Sequence, residues 1–419
     1  MTWLLLLVLI IVLLLLRQNI ILVVAVATAY IHVFLADSKL EFLAQDIWFA
    51  IDREVLLSIP MFILAGSVMT RGSIARRLIR IMTALTSPVP GGLGVAAVLS
   101  CAVFAAISGS SIVTMLAVGA IMYPALLEQG YDRRFAIGAL AAGGTLGIII
   151  PPSIPLILYG IMTETSITDL FIAGIGPGLL LTGMMIAYSL WRCRNLPASS
   201  WDFRELVIAF REGIFALMMP VILLGGIYSG YFTPTESAAV ALFYAILVEV
   251  FIHRELRLLE TFTIGLDTLK LLGALLLLLA IAGSLNTILD YEGVPKDMVR
   301  FLTDLTDSNW VLIVGINILL LIVGCFMDIG SAILILAPLL WPIGEAIGFH
   351  PVHFGIVMIV NLELGYLTPP VGINILIGMI AFRESFGTIV RAVVPFLLIM
   401  LLALILVIVF PWISLSLIG

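Results

Sequence analysis

Long apolar runs separated by short polar interruptions occupy most of this 419-residue chain. A hydrocarbon core about 30 Å thick is crossed by a helix of about 20 apolar residues, and most of the runs approach this length. They are continuously rich in Leu, Ile and Ala, whereas the strands of a membrane barrel would alternate in polarity. The pattern therefore predicts an all-α polytopic membrane protein embedded in a lipid bilayer.

The first two runs, residues 3–16 and 18–36, are separated by the polar triplet Arg17–Asn19, which predicts a tight turn. Residues 37–53 mix charges with Leu, Phe and Trp and predict an amphipathic helix in the membrane interface. Residues 290–308 are polar and predict a connection. The other predicted spans or half-spans cover residues 55–70, 91–107, 112–127, 131–162, 169–191, 213–231, 237–252, 271–289, 310–326, 329–343, 350–382 and 391–417.

Four interruptions fall inside apolar sequence. They are Ser108–Ser111, Gly147–Ser153, Met327–Asp328 and Thr368–Pro370. Backbone groups freed by such a break find no water in lipid, so a break is tolerated only where protein covers it or where it lines a cavity. The first and third interruptions predict the tips of two re-entrant hairpins, and the other two predict broken helices.

A constant spacing of 218 residues relates the two halves of the chain (342 − 124 = 218). It pairs Pro124 with Pro342, Gly130 with Gly348, Gly147 with Gly365, Pro151 and Pro152 with Pro369 and Pro370, and Gly160 with Gly378. Upstream, Ala65–Ser67 match Ala282–Ser284 at a spacing of 217. A run of matches at one spacing predicts an internal repeat.

The basic residues orient the two copies. If each hairpin returns to the side from which it enters, one face receives Arg71, Arg76, Arg77, Arg80, Arg133, Arg134, Arg192, Arg194, Arg204, Arg211, Arg254, Arg257, Arg383 and Arg391. That face is cytoplasmic by the positive-inside rule. The two copies then have opposite orientations, and inverted repeats with paired broken helices are typical of secondary transporters.

Composition narrows the function classes. The chain is 62% hydrophobic and 11% charged, whereas soluble domains carry about 25% charged residues. The net charge of −6 is widely spread and predicts no nucleic-acid partner. Cys101, Cys193 and Cys325 lack metal-ligand or redox spacing. Since the sequence carries no nucleotide loop, nucleophile motif or catalytic metal set, we expect a transporter energised by an ion gradient and no enzyme.

A hairpin tip and a helix broken at Pro-Pro leave carbonyl oxygens without intrahelical partners. Such carbonyls and nearby hydroxyls suit a cation such as Na⁺, and helix N-termini suit an anionic substrate. The first candidate sodium site comprises Ser108, Ser110, Gly147, Ile150 and Pro152. Adding 218 gives the second, which comprises Phe326, Asp328, Gly365, Thr368 and Pro370. Small residues also let membrane helices pack closely, and this alternative stays open for each residue alone.

Asp328 is an ionisable residue inside an apolar hairpin, and such a group is costly in a membrane and indicates a functional site. It could bind a cation, hydrogen-bond a substrate hydroxyl or pair with a neighbour. Asn361 and Glu363 lie just before the second broken-helix interruption and are candidate functional residues for the same reason. Asn374 follows that interruption and could either reach the same cavity or pack.

Four segments together resemble one transporter family: AISGSS at 106–111, GTLGIIIPPSIPLILYG at 144–160, GGIYSGYFTPTESAAVA at 225–241 and NLELGYLTPPVGINI at 361–375. They are similar to the large membrane subunit of tripartite ATP-independent periplasmic (TRAP) transporters, the DctM-like family. The resemblance covers nearly the whole chain from about residue 50. Arg17–Asn19 depart from it, because a small-residue and proline break is expected there.

This resemblance implies a Na⁺-driven importer in the bacterial inner membrane. Its solute would be a small organic acid anion such as a dicarboxylate, a sugar acid or sialic acid, with Na⁺ as the transported coupling ion and no organic cofactor. Two partners are implied, namely a small four-helix membrane (Q-type) subunit and a periplasmic solute-binding (P-type) protein.

The resemblance also implies an elevator mechanism. Residues 1–54 and 192–264 would form a scaffold with two interfacial arms, and residues 55–191 and 265–419 would form a transport domain with two hairpins. The predicted substrate-binding residues are Ser110, Ser111, Ser153, Asp328, Asn361 and Asn374.

Two alternatives remain at this point. The first is a stand-alone elevator symporter of the Na⁺/dicarboxylate type, which needs no binding protein. The second is a membrane-embedded enzyme or a channel. An enzyme should show a clustered catalytic set, and a channel should pass solute without dependence on Na⁺.

Overall fold

The computed structural model describes residues 2–36, 40–198, 200–306 and 308–418, and these residues form helices without any strand. The helices of the first half are α1 (Thr2–Leu15), α2 (Ile20–Tyr30), α3 (Leu40–Ile51), α4 (Ser58–Arg71), α5 (Ile74–Thr86), α6 (Gly92–Ser108), α7 (Ser111–Glu128), α8 (Arg133–Ile149), α9 (Ile154–Thr163) and α10 (Ile167–Arg192). Those of the second half are α11 (Phe203–Tyr228), α12 (Pro234–Ile246), α13 (Leu258–Tyr291), α14 (Val294–Leu305), α15 (Asn309–Phe326), α16 (Ile329–Ala346), α17 (Pro351–Gly365), α18 (Ile373–Phe382), α19 (Phe386–Val409) and α20 (Trp412–Leu415).

Ten helical segments within the described ranges are long and apolar enough to cross a membrane. One of them combines α8 and α9 into a single stretch of 31 residues that is interrupted at the predicted break. The predicted all-α polytopic membrane fold is therefore confirmed.

The N-terminal helices are separated where the polar triplet predicts a turn. Arg17 has a left-handed φ of 55°, and the side chain of Asn19 accepts a hydrogen bond of 3.0 Å from the Ile21 amide. This bond caps α2, because an Asn side chain satisfies an amide that has no partner within the helix. Helix α3 covers the predicted interfacial segment from Leu40 onward, and residues 37–39 lie outside the described residues.

The 218-residue spacing holds for helix boundaries as well as for single residues. Adding 218 to the bounds of α7 gives 329–346, which are the bounds of α16. Helices α8 and α17 begin 218 residues apart, at Arg133 and Pro351. The Pro151-Pro152 and Pro369-Pro370 peptide bonds are both cis. The chain therefore contains an internal structural repeat.

The repeat extends further toward the N-terminus than the sequence motifs indicate. Helices α2 and α12 each continue into a short π-helical segment, Ile31–Leu35 and Leu247–Ile252. Helix α3 begins at Leu40, and α13 begins 218 residues later at Leu258. A 3₁₀ turn separates α3 from α4, whereas α13 is one helix of 34 residues. The arm and the span of the second copy thus form a single helix.

Three features differ from the predictions based on hydropathy. Helices α11 and α13 begin earlier than the apolar runs, at Phe203 and Leu258. Charged residues such as Arg204 and Glu260 interrupt the apolar sequence in these first turns, so the turns fall outside the apolar runs. The segment 290–308, predicted as a polar connection, contains α14, which is the counterpart of the amphipathic helix α5.

The two copies interlock in one core. Helix α7 of the first hairpin packs against α18, and α16 of the second hairpin packs against α9. Each hairpin therefore contacts the broken helix of the other copy. Tyr159 on α9 is buried and donates a hydrogen bond of 2.9 Å to the Pro351 carbonyl at the start of α17.

Candidate functional site

The tip of the first hairpin gathers oxygen atoms. Helix α6 ends at Ser108, Gly109 takes a left-handed φ of 59°, and Ser110 is extended before α7 begins. Glycine suits this φ because it has no Cβ. The Ser108 hydroxyl lies 2.6 Å from that of Thr114 and donates to the Ser110 carbonyl at 3.3 Å.

This tip contacts the first broken helix through its backbone. A Cβ added at Gly147 would lie 2.6 Å from the Ser110 carbonyl oxygen, and one added at Gly109 would lie 2.8 Å from the Pro152 carbonyl oxygen. Ser108, Ser110, Gly147 and Pro152 are therefore brought together as the sequence predicts.

Ile150 and Ser153 complete the break between α8 and α9. Ile150 ends α8, and its side chain contacts Gly178 on α10. The buried Ser153 hydroxyl donates to the Ile148 carbonyl across the break and accepts a hydrogen bond of 3.4 Å from the Leu156 amide. Since this hydroxyl already closes the break, its predicted role toward substrate has no separate geometric support.

The second hairpin contacts the second broken helix in the same way. A Cβ added at Gly365 would lie 2.6 Å from Gly324 Cα. The Gly372 amide donates to the Cys325 carbonyl at 3.0 Å, and the Ile329 amide donates to the Tyr366 hydroxyl at 2.8 Å. The tip and break of the second copy are thus joined as closely as those of the first.

The second pair is more open than the first. Pro151 and Pro152 are buried, whereas Pro370 is exposed and Phe326 is 58% exposed. The hydroxyl of Thr368 donates to the Leu364 carbonyl at 2.8 Å. Phe326 and Pro370 have no polar side-chain atom, so each could bind a cation only through its backbone carbonyl oxygen.

Asp328 is exposed and caps α16. Its carboxylate accepts a hydrogen bond of 2.9 Å from the Ser331 amide and a second one from the Ser331 hydroxyl. Of the three roles considered for Asp328, the structure shows the pairing with a neighbour, Ser331. Binding of a cation or of a substrate hydroxyl stays a prediction, and the exposed position of the side chain at the tip leaves it accessible to either.

Variants of Asp328 can separate its capping from its charge. We expect Asp328→Asn to leave the melting temperature unchanged, because Asn caps as well as Asp, whereas Asp328→Ala should cost about 1 kcal/mol of stability. If the charge serves the second sodium site, Asp328→Asn should still raise the Na⁺ concentration for half-maximal uptake. Unchanged Na⁺ dependence in both variants would leave Asp328 with capping alone.

A side-chain bond connects the two copies at the tips. Asn374 at the start of α18 donates a hydrogen bond of 2.5 Å to the Ser111 hydroxyl at the start of α7, and both side chains are buried. The Asn374 side-chain oxygen has no hydrogen-bond partner among the described residues. The first hairpin tip is thereby tied to the second broken helix.

Asn361, one of the predicted substrate-binding residues, has its hydrogen-bond partner on α15. Its amide nitrogen donates to the backbone and side-chain oxygens of Asn317 on α15, at 3.0 and 2.7 Å. Both residues line an apolar cavity of about 320 Å³ between α15, α17 and α19. The structure therefore gives Asn361 a partner on α15 rather than at the hairpin tips.

Sequence reasoning missed two polar residues of the site. Thr114 follows Ser111 by three residues and so shares its face of α7, which is the signal that could have found it. Tyr366 could not be found this way, since its hydroxyl reaches the second tip only through the packing of the second hairpin against the broken helix.

Comparisons with known proteins identify the family. The family model described as tripartite ATP-independent periplasmic transporter, DctM component, matches residues 7–413. The C4-dicarboxylate TRAP transporter large permease protein DctM of Pseudomonas aeruginosa is 43% identical over 369 residues, which cover 87% of this chain and 86% of that protein. The isethionate TRAP transporter permease protein DctMQ of Oleidesulfovibrio alaskensis is 37% identical over 372 residues, which cover 87% of this chain and 58% of that protein. The structure of the YdaH transporter of Alcanivorax borkumensis matches with a TM-score of 0.62 at 15% identity, over 89% of this chain and 87% of that one.

The helical fold and its relatives define the class as a polytopic inner-membrane transporter rather than an enzyme. The likeness to YdaH supports the fold alone. Within this class, the chain belongs to the DctM family, the large permease component of TRAP transporters.

Proposed function

We propose that this protein imports a small organic acid anion in symport with Na⁺ by an elevator mechanism. The observation that carries the proposal is the pair of hairpin tips, each in backbone contact with a broken helix and connected by the Ser111–Asn374 bond. Paired breaks of this kind near the midplane are typical sites for solute and coupling ions in repeat-built transporters.

The first tip offers the chemistry that Na⁺ requires. The Ser108 hydroxyl lies 2.6 Å from the Thr114 hydroxyl and 3.3 Å from the Ser110 carbonyl oxygen. Gly109, between the two serines, lies next to the Pro152 carbonyl. These are neutral oxygen donors, which suit a hard cation of single charge. The second tip, around Phe326 and Thr368, offers mainly backbone carbonyls for a second Na⁺.

An organic acid anion fits the same region. Helices α7, α9, α16 and α18 all begin at the breaks, and a helix N-terminus favours a negative group. Ser110, Ser111 and Asn374 supply hydrogen-bonding groups close to these N-termini. The relatives named for C4-dicarboxylate and for isethionate also have anionic solutes. We therefore assign this chain a carboxylate or sulfonate anion.

The elevator movement would occur between the arms and the broken helices. A cavity of about 520 Å³ is lined by residues from α3, α9, α13 and α16 and by the charged side chains of Asp46, Arg53, Glu164 and Asp290. A polar, open boundary is easier to slide than a dry apolar one. Helix α13 runs unbroken across residues 264 and 265, so the proposed boundary between the scaffold and the transport domain lies within this helix.

Two partner proteins complete the proposal. Membership in the DctM family implies a Q-type membrane subunit and a P-type solute-binding protein, and the isethionate relative is named DctMQ. The exposed apolar faces of α1 and α15 suit lipid or the Q-type subunit.

Uptake into proteoliposomes tests the proposal. The chain and its Q-type subunit would be reconstituted, and labelled organic acids would be supplied with an inward Na⁺ gradient, with and without the P-type protein. Uptake that requires both would support the proposal. Uptake with Na⁺ alone would favour the stand-alone symporter, and solute movement indifferent to Na⁺ would contradict the sodium sites.

Ser108→Ala is expected to raise the Na⁺ concentration for half-maximal uptake, because it removes one ligand and the partner of Thr114. Loss of one hydrogen-bonding group costs about 1 kcal/mol, which corresponds to roughly a fivefold shift. Ser100→Ala is the matched control, since Ser100 is buried on the same helix and its hydroxyl has no partner in the described structure. Equal Na⁺ dependence of the two variants would argue against the first site.

A further inference from the structure

The second copy has an apolar cavity at its outer surface that the proposed transport site does not use. Its volume is about 320 Å³, and it is formed by α15, α17 and α19. Helix α17 packs against both α15 and α19, so it forms the floor and the other two helices form the walls. The wall residues recur at three- and four-residue spacing, from Trp310 to Leu321 on α15 and from Leu401 to Val409 on α19. One face of each wall helix therefore borders the cavity.

The cavity opens toward lipid. Helices α15 and α19 are both long and apolar enough to cross a membrane. Val314 and Ile318 on one wall and Ile405 on the other are exposed, whereas Leu364 on the floor is buried. None of the described residues that line the cavity carries a charge. A molecule dissolved in the bilayer can therefore enter the cavity, at a depth where no water competes for hydrogen bonds.

Two side-chain amides lie in the cavity wall and bond to each other. The Asn361 Nδ2 donates to the Asn317 backbone oxygen at 3.0 Å and to the Asn317 side-chain oxygen at 2.7 Å. The Asn317 Nδ2 in turn donates to the Ile313 carbonyl at 2.9 Å. Because both atoms that face Asn361 are acceptors, its nitrogen must point toward them and its Oδ1 must point away from them.

The Oδ1 of Asn361 is thus an acceptor that lacks a donor. Asn361 is only 2% exposed, and no group among the described residues donates to this oxygen. A buried acceptor without a hydrogen bond costs free energy, and lipid tails have no hydrogen to donate. Since Asn361 lies in the cavity wall, an occupant of the cavity is placed to supply the missing donor.

We propose that this cavity binds a bilayer-dissolved molecule with an apolar body and one hydroxyl group. The body packs against the aliphatic walls, and the hydroxyl donates to the Asn361 Oδ1. Apolar packing alone does not select an occupant here, because lipid tails are as apolar as the walls. An acyl chain would fill the same space and leave the acceptor unpaired, so the hydrogen bond favours the alcohol. The site is distinct from the proposed sodium and organic-acid sites.

Photolabelling of the full chain in liposomes tests this site. The probe is a diazirine derivative of octanol, and peptide mass spectrometry locates its adducts, which we expect on α15, α17 or α19. Octanol should displace the probe at about one fifth of the membrane concentration that its isomer heptyl methyl ether requires, because only the alcohol donates a hydrogen bond. Equal competition by the two isomers, or no adduct on these helices, would overturn the proposal.

Two tryptophan variants on α15 locate the binding site. Ile318 lines the cavity and Ile322 does not, although both are 54% exposed. Ile318→Trp should fill the cavity and abolish labelling, whereas Ile322→Trp should be labelled like the wild type. Equal labelling of the two variants would contradict the cavity as the binding site.

Replacing both amides tests the acceptor. The double variant Asn317→Leu/Asn361→Leu removes both partners together, so neither is left with an unpaired group. Its cavity should still be labelled, but octanol should lose its advantage over the ether. An advantage that persists would place the hydrogen bond elsewhere and would overturn the role of Asn361.

Co-reconstitution with the Q-type subunit distinguishes a small molecule from a protein occupant. Labelling that persists in the complex would support the proposal. Labelling that the subunit abolishes would assign this face to the subunit and overturn the proposal. None of these measurements requires Na⁺ or solute uptake, so a negative result would leave the proposed transport function untouched.

Discussion

Alanine at Gly147 is expected to reduce solute uptake at least about tenfold, and alanine at Gly365 is expected to do the same. The first added Cβ would lie 2.6 Å from the Ser110 carbonyl oxygen, and the second would lie 2.6 Å from Gly324 Cα. Both contacts are with backbone, which cannot rotate away as a side chain can. Overpacking of this kind costs about 1–3 kcal/mol, and about 1.4 kcal/mol changes a rate tenfold. The hairpin tip would be displaced from the break in either variant.

Gly183 on α10 provides the matched control. It is also helical, and nothing lies within 4 Å of its added Cβ. Alanine is favoured over glycine within a helix by about 1 kcal/mol, so Gly183→Ala should fold and transport at least as well as the wild type. The measurement is Na⁺-driven uptake per amount of reconstituted protein, alongside the melting temperature. Normal uptake by Gly147→Ala would mean that the first tip and break need not touch during transport.

The positions of the breaks could be predicted from sequence because lipid leaves few alternatives. In a chain so apolar, Gly109 and the Pro151-Pro152 pair cannot be surface loops, so they indicate buried or cavity-lining backbone. The same scarcity of polar residues makes the 218-residue spacing visible, since Gly and Pro stand out against Leu and Ile. These signals were sufficient to predict both hairpins and both broken helices.

Features that depend on packing could not be read from the sequence. The amphipathic helix α14 mixes charged and apolar residues, so it does not appear as an apolar run. The arm and the span of the second copy form one helix, α13, and the hydropathy pattern did not predict that no turn separates them. The neighbours of Asp328 in sequence are apolar, and its exposure as a helix cap follows only from the geometry of the hairpin tip. Asn361 looked like a site residue, although its partner is on α15.

The interlocking of the repeats explains why the two candidate sodium sites should act together. Each hairpin contacts the broken helix of its own copy through a glycine. The first hairpin also contacts α18 of the second copy, and the second hairpin contacts α9 of the first copy. A change at one tip therefore reaches the opposite break through direct contacts. The Ser111–Asn374 bond is the polar contact on this path, and its removal should have the second large effect.

Ser111→Ala and Asn374→Leu are each expected to lower Na⁺-driven uptake about tenfold. Each change leaves the buried partner without its hydrogen bond, which costs about 1–3 kcal/mol, and about 1.4 kcal/mol corresponds to a factor of ten. The double variant should lose little more than either single variant, because one bond is lost in all three. Such non-additivity is expected for residues in direct contact.

Ser100→Ala separates this effect from the loss of any buried hydroxyl. Ser100 is fully buried on α6, yet its hydroxyl has no partner within the described residues, so its removal should change uptake little. Uptake should be measured over a range of Na⁺ concentrations for all four variants. If the bond couples the two tips, the single variants should also show a shallower dependence on Na⁺, since one site then responds less to the other. Additive losses with an unchanged Na⁺ dependence would mean that Ser111 and Asn374 act separately, and the coupling would have to pass through the glycine contacts alone.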